Sequence, residues 1–95
     1  MWLFLLSGEY TVCRLDAGAA VPGWAWGEGF AAVVRTGNEV SVVCRAETVP
    51  KERPDGMRTE GPWRVLEVQG PLDFALTGVL AGLAGPLAAA GVPIF

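Results

Sequence analysis

The chain has 95 residues and a mass of 10.0 kDa, which suits one hydrophobic core and excludes two independent domains of ordinary size. Hydrophobic residues make up 52% and charged residues 18%, so the composition is not that of a chain kept disordered by charge. Seven Lys and Arg against ten Asp and Glu give a net charge of −3, which argues against nucleic acid as a partner, and the absence of His excludes a Ser-His-Asp triad and a His-ligated zinc.

The N-terminal half predicts strands around one short helical turn. Residues 1–6 are apolar and form a lead-in strand; they lack the basic region and cleavage site of a signal peptide. Residues 9–15 are rich in β-branched and aromatic side chains and predict a second strand. Pro22 and Gly27 bracket a segment long enough for one helical turn.

A β-hairpin is the strongest local signal in the chain. Two strand-like runs, 30–35 and 40–45, flank Gly37-Asn38, which supplies the backbone freedom that tight turns need. With the two arginines that end these runs turned toward water, we expect one apolar face composed of Phe30, Ala32, Val34, Val40, Val42 and Cys44. The opposite face is also apolar, so we expect another segment to cover part of it.

The C-terminal half predicts a loop, a strand and a helix. Residues 46–62 are polar without periodicity and indicate a surface loop, whereas 63–69 alternate as in a strand. Asp73 suits a helix N-cap, with a helix over 74–90 bent by Pro86 and capped by Gly91. One helix face is rich in leucine and the other in glycine and alanine, so we expect both faces to pack.

A membrane-spanning alternative exists for the uncharged segment 74–95. Its length is sufficient for a span, but two prolines and the lack of flanking Lys or Arg favour a buried helix of a soluble protein.

Few side chains indicate chemistry. Cys13 and Cys44 lack CxxC spacing and an activating neighbour, so we expect inert, reduced, buried thiols in a cytoplasmic protein. Asp73 is interpreted first as a cap, and alternatively as part of a turn that presents N–H groups to an anion. Three of the four tryptophans are expected to pack in the interior. No catalytic or metal-ligating residue is predicted, and no cofactor.

Two C-terminal motifs carry a family resemblance. The segment 63–81, which contains Gly70-Pro71-Leu72-Asp73-Phe74, and the segment 86–95, which ends in Val92-Pro93-Ile94-Phe95, resemble the small bacterial ACT domain-containing proteins related to the CASTOR group of amino-acid sensors. Residues 8–15 and 41–44 also resemble the first half of this family, so the likeness spans nearly the whole chain.

The resemblance implies an α+β fold of ferredoxin-like, ACT-type architecture, an antiparallel sheet with helices on one face. Residues 1–69 would form a first unit and 70–95 the start of an incomplete second unit, because family members continue past the last motif into a hairpin. It implies ligand binding by the turn Gly70, Pro71, Leu72, Asp73 and Phe74. The strand order 4-1-3-2 of such a sheet would make the strands of Cys13 and Cys44 neighbours.

These features predict a non-enzymatic regulatory or sensor module that forms homodimers and binds an amino acid or a similar small ligand at an interface between units or subunits. The alternative is a structural interaction module completed by a partner strand or a second copy.

Overall fold

A computed structural model describes residues 2–70 and 77–95 of the chain. The described part is α+β, with two antiparallel sheets and a C-terminal helix. Its strands are β1 (Leu3–Leu5), β2 (Tyr10–Asp16), β3 (Ala32–Arg35), β4 (Glu39–Arg45), β5 (Arg58–Trp63) and β6 (Leu66–Val68), and its helix is α1 (Val79–Ala89). Short 3₁₀ helices occupy Gly23–Trp26 and Ala46–Thr48.

The larger sheet has the strand order β5-β2-β4-β3, with every neighbouring pair antiparallel. With these strands counted from β2 onward, the order is the 4-1-3-2 of a ferredoxin-like sheet, and the predicted fold class is confirmed. The one-turn 3₁₀ helix at Gly23–Trp26 lies in the connection from β2 to β3, where the sequence predicts a single helical turn. β1 and β6 pair separately as a two-stranded ribbon.

The predicted hairpin is present, but its faces differ from the prediction. β3 and β4 pair with Val33 opposite Val42, and Thr36 closes a two-residue turn by accepting hydrogen bonds from the backbone N–H groups of Asn38 and Glu39 at 3.1 and 3.2 Å. With a two-residue turn, Val33 lies opposite Val42, and the two side chains share the face that holds the core. Val33, not Val34, therefore packs against the core.

The core lies on one face of the larger sheet. Its buried members are small, mostly β-branched or thiol side chains of the two central strands, joined by an alanine of the first 3₁₀ helix: Cys13, Leu15, Ala25, Val40, Val42 and Cys44. Thr11 is opposite Cys44 and Cys13 is opposite Val42, so the two thiols are diagonal neighbours on this face, as the strand order predicts. Both cysteines are buried and free, as expected.

The loop predicted over 46–62 is wrong for its second half, because β5 occupies Arg58–Trp63. This strand lies at the sheet edge and contains Gly61 and Pro62, which weaken the sequence signal of a strand and are tolerated where a strand pairs on one side only. The predicted strand over 63–69 is divided: Trp63 ends β5, and β6 pairs with β1.

The helix is shorter than predicted over its described part. Gly78 has a φ of 76° and precedes the first helical residue, Val79, while predicted helical positions 74–76 lie outside the described residues. At the C-terminus Gly91 has a φ of 74°, and the N–H groups of Gly91 and Val92 bond the carbonyls of Ala88 and Leu87. This is a Schellman motif, so the predicted glycine cap is confirmed.

The predicted packing of both helix faces is not found in the single chain. No residue of α1 is buried, Leu80 is 73% exposed, and a Cβ added at Gly82 or Gly85 would meet nothing within 4 Å. The prediction that most tryptophans are interior is also wrong, since Trp2 and Trp26 are exposed. In the described part of the chain, no helix has the length and apolar character needed to cross a membrane.

Candidate functional site

The predicted ligand-binding turn connects β6 to the segment before α1. Gly70, its first residue, is exposed at a bend, whereas Pro71, Leu72, Asp73 and Phe74 lie outside the described residues. The backbone before the turn is fixed, because Gln69 donates its N–H to the carbonyl of Trp2 at 3.0 Å. The role of these five residues in ligand binding stays a prediction.

The second face of the larger sheet has a charged centre at Arg14. Its Nη1 lies 2.6 Å from Glu39 Oε1, and its Nε lies 2.9 Å from Glu60 Oε1. The hydrogen bond to Glu60, followed by the charges of the two glutamates, raises the pKa of Arg14 above its ordinary value. Ser41 Oγ donates to the same Glu39 oxygen at 3.2 Å, so the cluster links β2, β4 and β5.

Aromatic side chains cover part of this face, and they include Phe30, which the sequence predicts on the opposite face. Tyr10 and Phe30 meet edge to face at 6.2 Å between ring centroids, and Trp63 lies 6.1 Å from Phe95. The guanidinium carbon of Arg14 lies 5.8 Å from the centroid of Phe95, within the range of a cation–π contact. The C-terminal segment therefore returns to the sheet after α1.

At the other end of this face, an open cavity of about 390 Å³ lies between the sheet and the β1-β6 ribbon. Its volume falls within the usual range for small-molecule sites. Two side chains of opposite charge and two aromatic rings are among the groups that line it. The lining residues are Leu6, Ser7, Tyr10, Gly29, Phe30, Arg45 and Glu67.

Two glycines hold the side chain of Arg45 in place at this cavity. Gly8 has a φ of 83° and Gly29 a φ of 86°, and a Cβ at either position would come within 2.9 Å of the Arg45 side chain. At Gly29 the added atom would also approach the Tyr10 hydroxyl at 3.2 Å. Both positions thus favour glycine for backbone conformation, and Gly29 also for space, because its neighbours are Arg45 carbons near the backbone and the Tyr10 hydroxyl.

The charge of Arg45 is only partly compensated. Its Nε lies 2.8 Å from Glu47 Oε1, but the side chain of Glu47 is mostly exposed, and Arg45 Nε is buried without a hydrogen bond of good geometry in the described residues. This exposed ion pair engages Nε and leaves the Nη groups of Arg45, at the cavity wall, able to donate to an oxyanion.

The cavity therefore presents a cation, an anion and apolar surface to the same space. Arg45 suits a carboxylate, Glu67 suits an ammonium group, and Phe30 offers apolar contact. This combination matches the three parts of an α-amino acid. Neither Arg45 nor Glu67 is predicted from the sequence, because each lies in a strand and resembles an ordinary solvated charge; the two glycines at 8 and 29 were the available signal.

The thiols show no sign of nucleophilic activation. Burial, followed by the proximity of Cys44, raises the pKa of Cys13 to about 11, and burial raises the pKa of Cys44. Neutral thiols are poor nucleophiles and poor metal ligands. Among residues 2–70 and 77–95, no group of three or more His, Cys, Asp or Glu is placed to hold a metal ion.

Two models of known protein families match successive parts of the chain. Residues 58–95 match the family model of an ACT domain named ACT_7, and residues 8–52 match a model described as an N-terminal domain. The first match supports an ACT domain-containing protein, in agreement with the broader part of the resemblance, while the narrower likeness to the CASTOR group is not confirmed. No curated protein matches the sequence.

One solved structure is similar over almost the whole chain. It is the X-ray crystal structure of protein Atu0741 from Agobacterium tumefaciens, with 36% sequence identity and a TM-score of 0.83. The similarity covers 98% of this chain and 66% of the Agobacterium chain. The present sequence thus spans just under two thirds of the length of that protein.

Proposed function

We propose that the protein is a non-enzymatic regulatory module of ACT type, which binds a free amino acid in the cavity between Arg45 and Glu67. The ACT-domain match over residues 58–95 supports a small-ligand-binding regulatory role. The observation that carries the choice of ligand is the juxtaposition of Arg45, held by Gly8 and Gly29, with Glu67 and Phe30 around one cavity.

Arginine is the favourable residue type for this task. Its planar guanidinium can donate two parallel hydrogen bonds to a carboxylate, and its hold between two glycines reduces the entropy lost on binding. Glu67 at the cavity wall would accept from the ligand's ammonium group. A ligand that carries only one of these charges would leave one wall unpaired, which favours zwitterions.

The turn Gly70, Pro71, Leu72, Asp73 and Phe74 remains part of the proposal. It follows β6, the strand of Glu67, by a few residues, and its N–H groups would supply further donors to a bound carboxylate.

We also propose that the ligand site lies near a subunit interface and that the chain forms a homodimer. The apolar side chains that the single chain leaves exposed support this proposal, because a solvated apolar surface of this extent is typical of an interface. They include Leu3, Phe4, Leu5, Leu66, Leu80, Val92 and Ile94. A cytoplasmic location agrees with two free thiols.

The decisive experiment is calorimetric titration of the chain with each of the twenty amino acids. We expect heat with a subset of them, and Arg45→Gln to weaken that binding at least about tenfold, as expected for loss of a charged hydrogen bond. Arg35→Gln is the matched control, because Arg35 bonds a backbone carbonyl, that of Ala19, and neither residue lines the cavity. No heat with any amino acid would contradict the proposal.

The second candidate is a structural interaction module. The unburied faces of α1 and the exposed outer edges of β3 and β5 favour it, because an edge strand can pair with a strand of a partner. A chain that dimerises without binding any amino acid would support this candidate over the first.

A further inference from the structure

The lining of the Arg45 cavity carries one positive and one negative charge. Arg45 and Glu67 supply them, and the other five lining residues are neutral. In the proposed function, on which this inference rests, the carboxylate and the ammonium group of the amino acid engage both charges. A third charge, on the side chain of the ligand, would meet no opposite charge among the lining residues. Because a charge that loses hydration without gaining a partner is costly, the lining favours amino acids with neutral side chains.

Phe30 forms an apolar wall on the sheet side of the cavity. Phe30 is 43% exposed, whereas Tyr10, which also lines the cavity, is only 2% exposed. The two rings meet edge to face with an interplanar angle of 67°, so the buried ring of Tyr10 supports Phe30 from one side. A supported ring with free surface can cover part of a ligand at a low cost in entropy.

The ribbon contributes a second apolar wall. Leu6 lines the cavity from this side, and its N–H bonds the carbonyl of Val65 at 2.9 Å, which continues the pairing of the ribbon beyond β1. Phe4 lies directly opposite Glu67 and is 46% exposed. Because opposite residues and residues two apart along a strand share a face, Phe4, Leu6 and Glu67 face the same way. The carboxylate that would receive the ammonium group is therefore flanked by apolar side chains.

The neutral polar groups of the lining offer less to a ligand side chain than the apolar walls do. Ser7 is exposed, so its hydroxyl is hydrated when no ligand is bound. A hydroxyl or amide on the ligand would exchange a hydrogen bond with water for one with Ser7, at a small net gain. An apolar side chain instead removes surface of Phe30 and Leu6 from water, and the gain grows with the area covered.

We infer that the cavity selects amino acids with large apolar side chains, aliphatic or aromatic, which lie between Phe30 and Leu6 while Arg45 and Glu67 hold the carboxylate and the ammonium group. A protein with this site responds to the apolar amino acids as a class and discriminates against those with charged or amide side chains.

Calorimetric titration with a matched set of ligands tests this class. Leucine, asparagine and aspartate have side chains of similar branched shape that differ in polarity and charge, lysine adds a positive charge, and alanine keeps the two α-groups with little side chain. We expect leucine to bind at least about tenfold more tightly than each of the other four, because only leucine covers both apolar walls. The heat capacity change on binding should be more negative for leucine than for alanine, since more apolar surface is buried.

Variants of Phe30 test whether this wall makes the selection. Phe30→Ala should weaken the binding of leucine at least about tenfold and leave that of alanine unchanged, and retained alanine binding shows that the site is folded. Phe30→Leu preserves an apolar wall and should keep the preference for leucine. Phe95→Ala is the matched control, because Phe95 is also an exposed aromatic residue but does not line the cavity.

Three results would overturn the inference: asparagine, aspartate or lysine binding as tightly as leucine, leucine binding no more tightly than alanine, or Phe30→Ala weakening the binding of leucine and alanine equally. In each of these cases an amino acid still binds, so the proposed function stands and the ligand class is wrong. Absence of heat with every amino acid is a separate result, which contradicts the proposed function and this inference together.

Discussion

At the scale of single residues, the two buried cysteines make stability depend on alkaline pH. Cys13 is fully buried, and its thiol has a pKa of about 11, against an ordinary value of 9.0. As pH rises above 9, the Cys13 thiol ionises in the unfolded chain before it ionises in the folded chain, so the unfolded state is favoured. The free energy of unfolding therefore keeps its full value below pH 9 and falls as pH rises toward 11.

We expect ionisation of Cys13 to lower the free energy of unfolding between pH 9 and pH 11, with a slope of at most about 1.4 kcal/mol per pH unit. Urea unfolding of the parent chain and of Cys13→Ala across this range measures the effect, and other ionising groups cancel in the difference. An equal pH dependence in both proteins would show that Cys13 does not titrate as the structure indicates.

Gly29 is the residue where backbone and space constrain the Arg45 cavity together. Gly29→Ala places a Cβ at a φ of 86° and 2.9 Å from Arg45 Cδ, so we expect a loss of about 1–2 kcal/mol in stability. Gly18→Ala is the control, because a Cβ there meets nothing within 4 Å. Chemical denaturation of both variants measures the difference, and similar unfolding of the two would contradict the described hold on Arg45.

At the scale of elements, the hairpin shows what local sequence can and cannot determine. Gly37-Asn38 identifies the turn and both strands, and the structure confirms them. The assignment of faces failed, because both faces of β3 are apolar and hydrophobic alternation gives no preference between them. The face of Val33 follows from the length of the turn, because a two-residue turn closed by the bonds to Thr36 places Val33 opposite Val42 of the core.

The register can be tested with a matched pair of substitutions. Val33→Thr puts a hydroxyl against the core and should cost about 1–2 kcal/mol, whereas Val34→Thr, at a position that is 57% exposed, should change stability by less than about 0.5 kcal/mol. Thermal melts of the two variants give the comparison. If Val34→Thr were the more damaging, the pairing of Val33 with Val42 would be wrong.

Strand β5 was missed for a related reason. Its residues, Arg58–Trp63, are mostly polar, and Gly61 and Pro62 are turn-forming types. The strand exists because β2 offers a free edge for pairing, which is a property of the assembled sheet. The same limit applies to the Arg45 cavity, since Arg45 of β4 and Glu67 of β6 line it together only once the sheet and the ribbon have assembled.

At the scale of the whole molecule, the single chain is less compact than its length predicts. Its radius of gyration is 15.1 Å, compared with about 12–13 Å for a compact domain of this size. The core occupies one face of the larger sheet, while α1 buries no residue. The sequence predicts two apolar faces on α1, and within the described residues neither face is buried against another element.

If a second copy supplies those contacts, dimerisation will depend on the exposed face of α1. We expect light scattering to show a concentration-dependent dimer, and Leu80→Glu to shift it toward monomer without lowering the monomer's stability, because Leu80 is largely exposed in the single chain. Val34→Glu on the sheet edge is the control. A monomer at every concentration would contradict the homodimer proposal.

The packing of the Arg45 side chain against Gly8 and Gly29 couples two parts of the molecule. Gly8 belongs to the segment that enters β2 from the ribbon, and Gly29 to the segment that enters β3 after the first 3₁₀ helix. One side chain thus touches two distant stretches of backbone, and any ligand that pulls its guanidinium outward would relax both at once. In the proposed ligand-binding role, occupancy of this cavity would in this way alter the angle between the ribbon and the sheet.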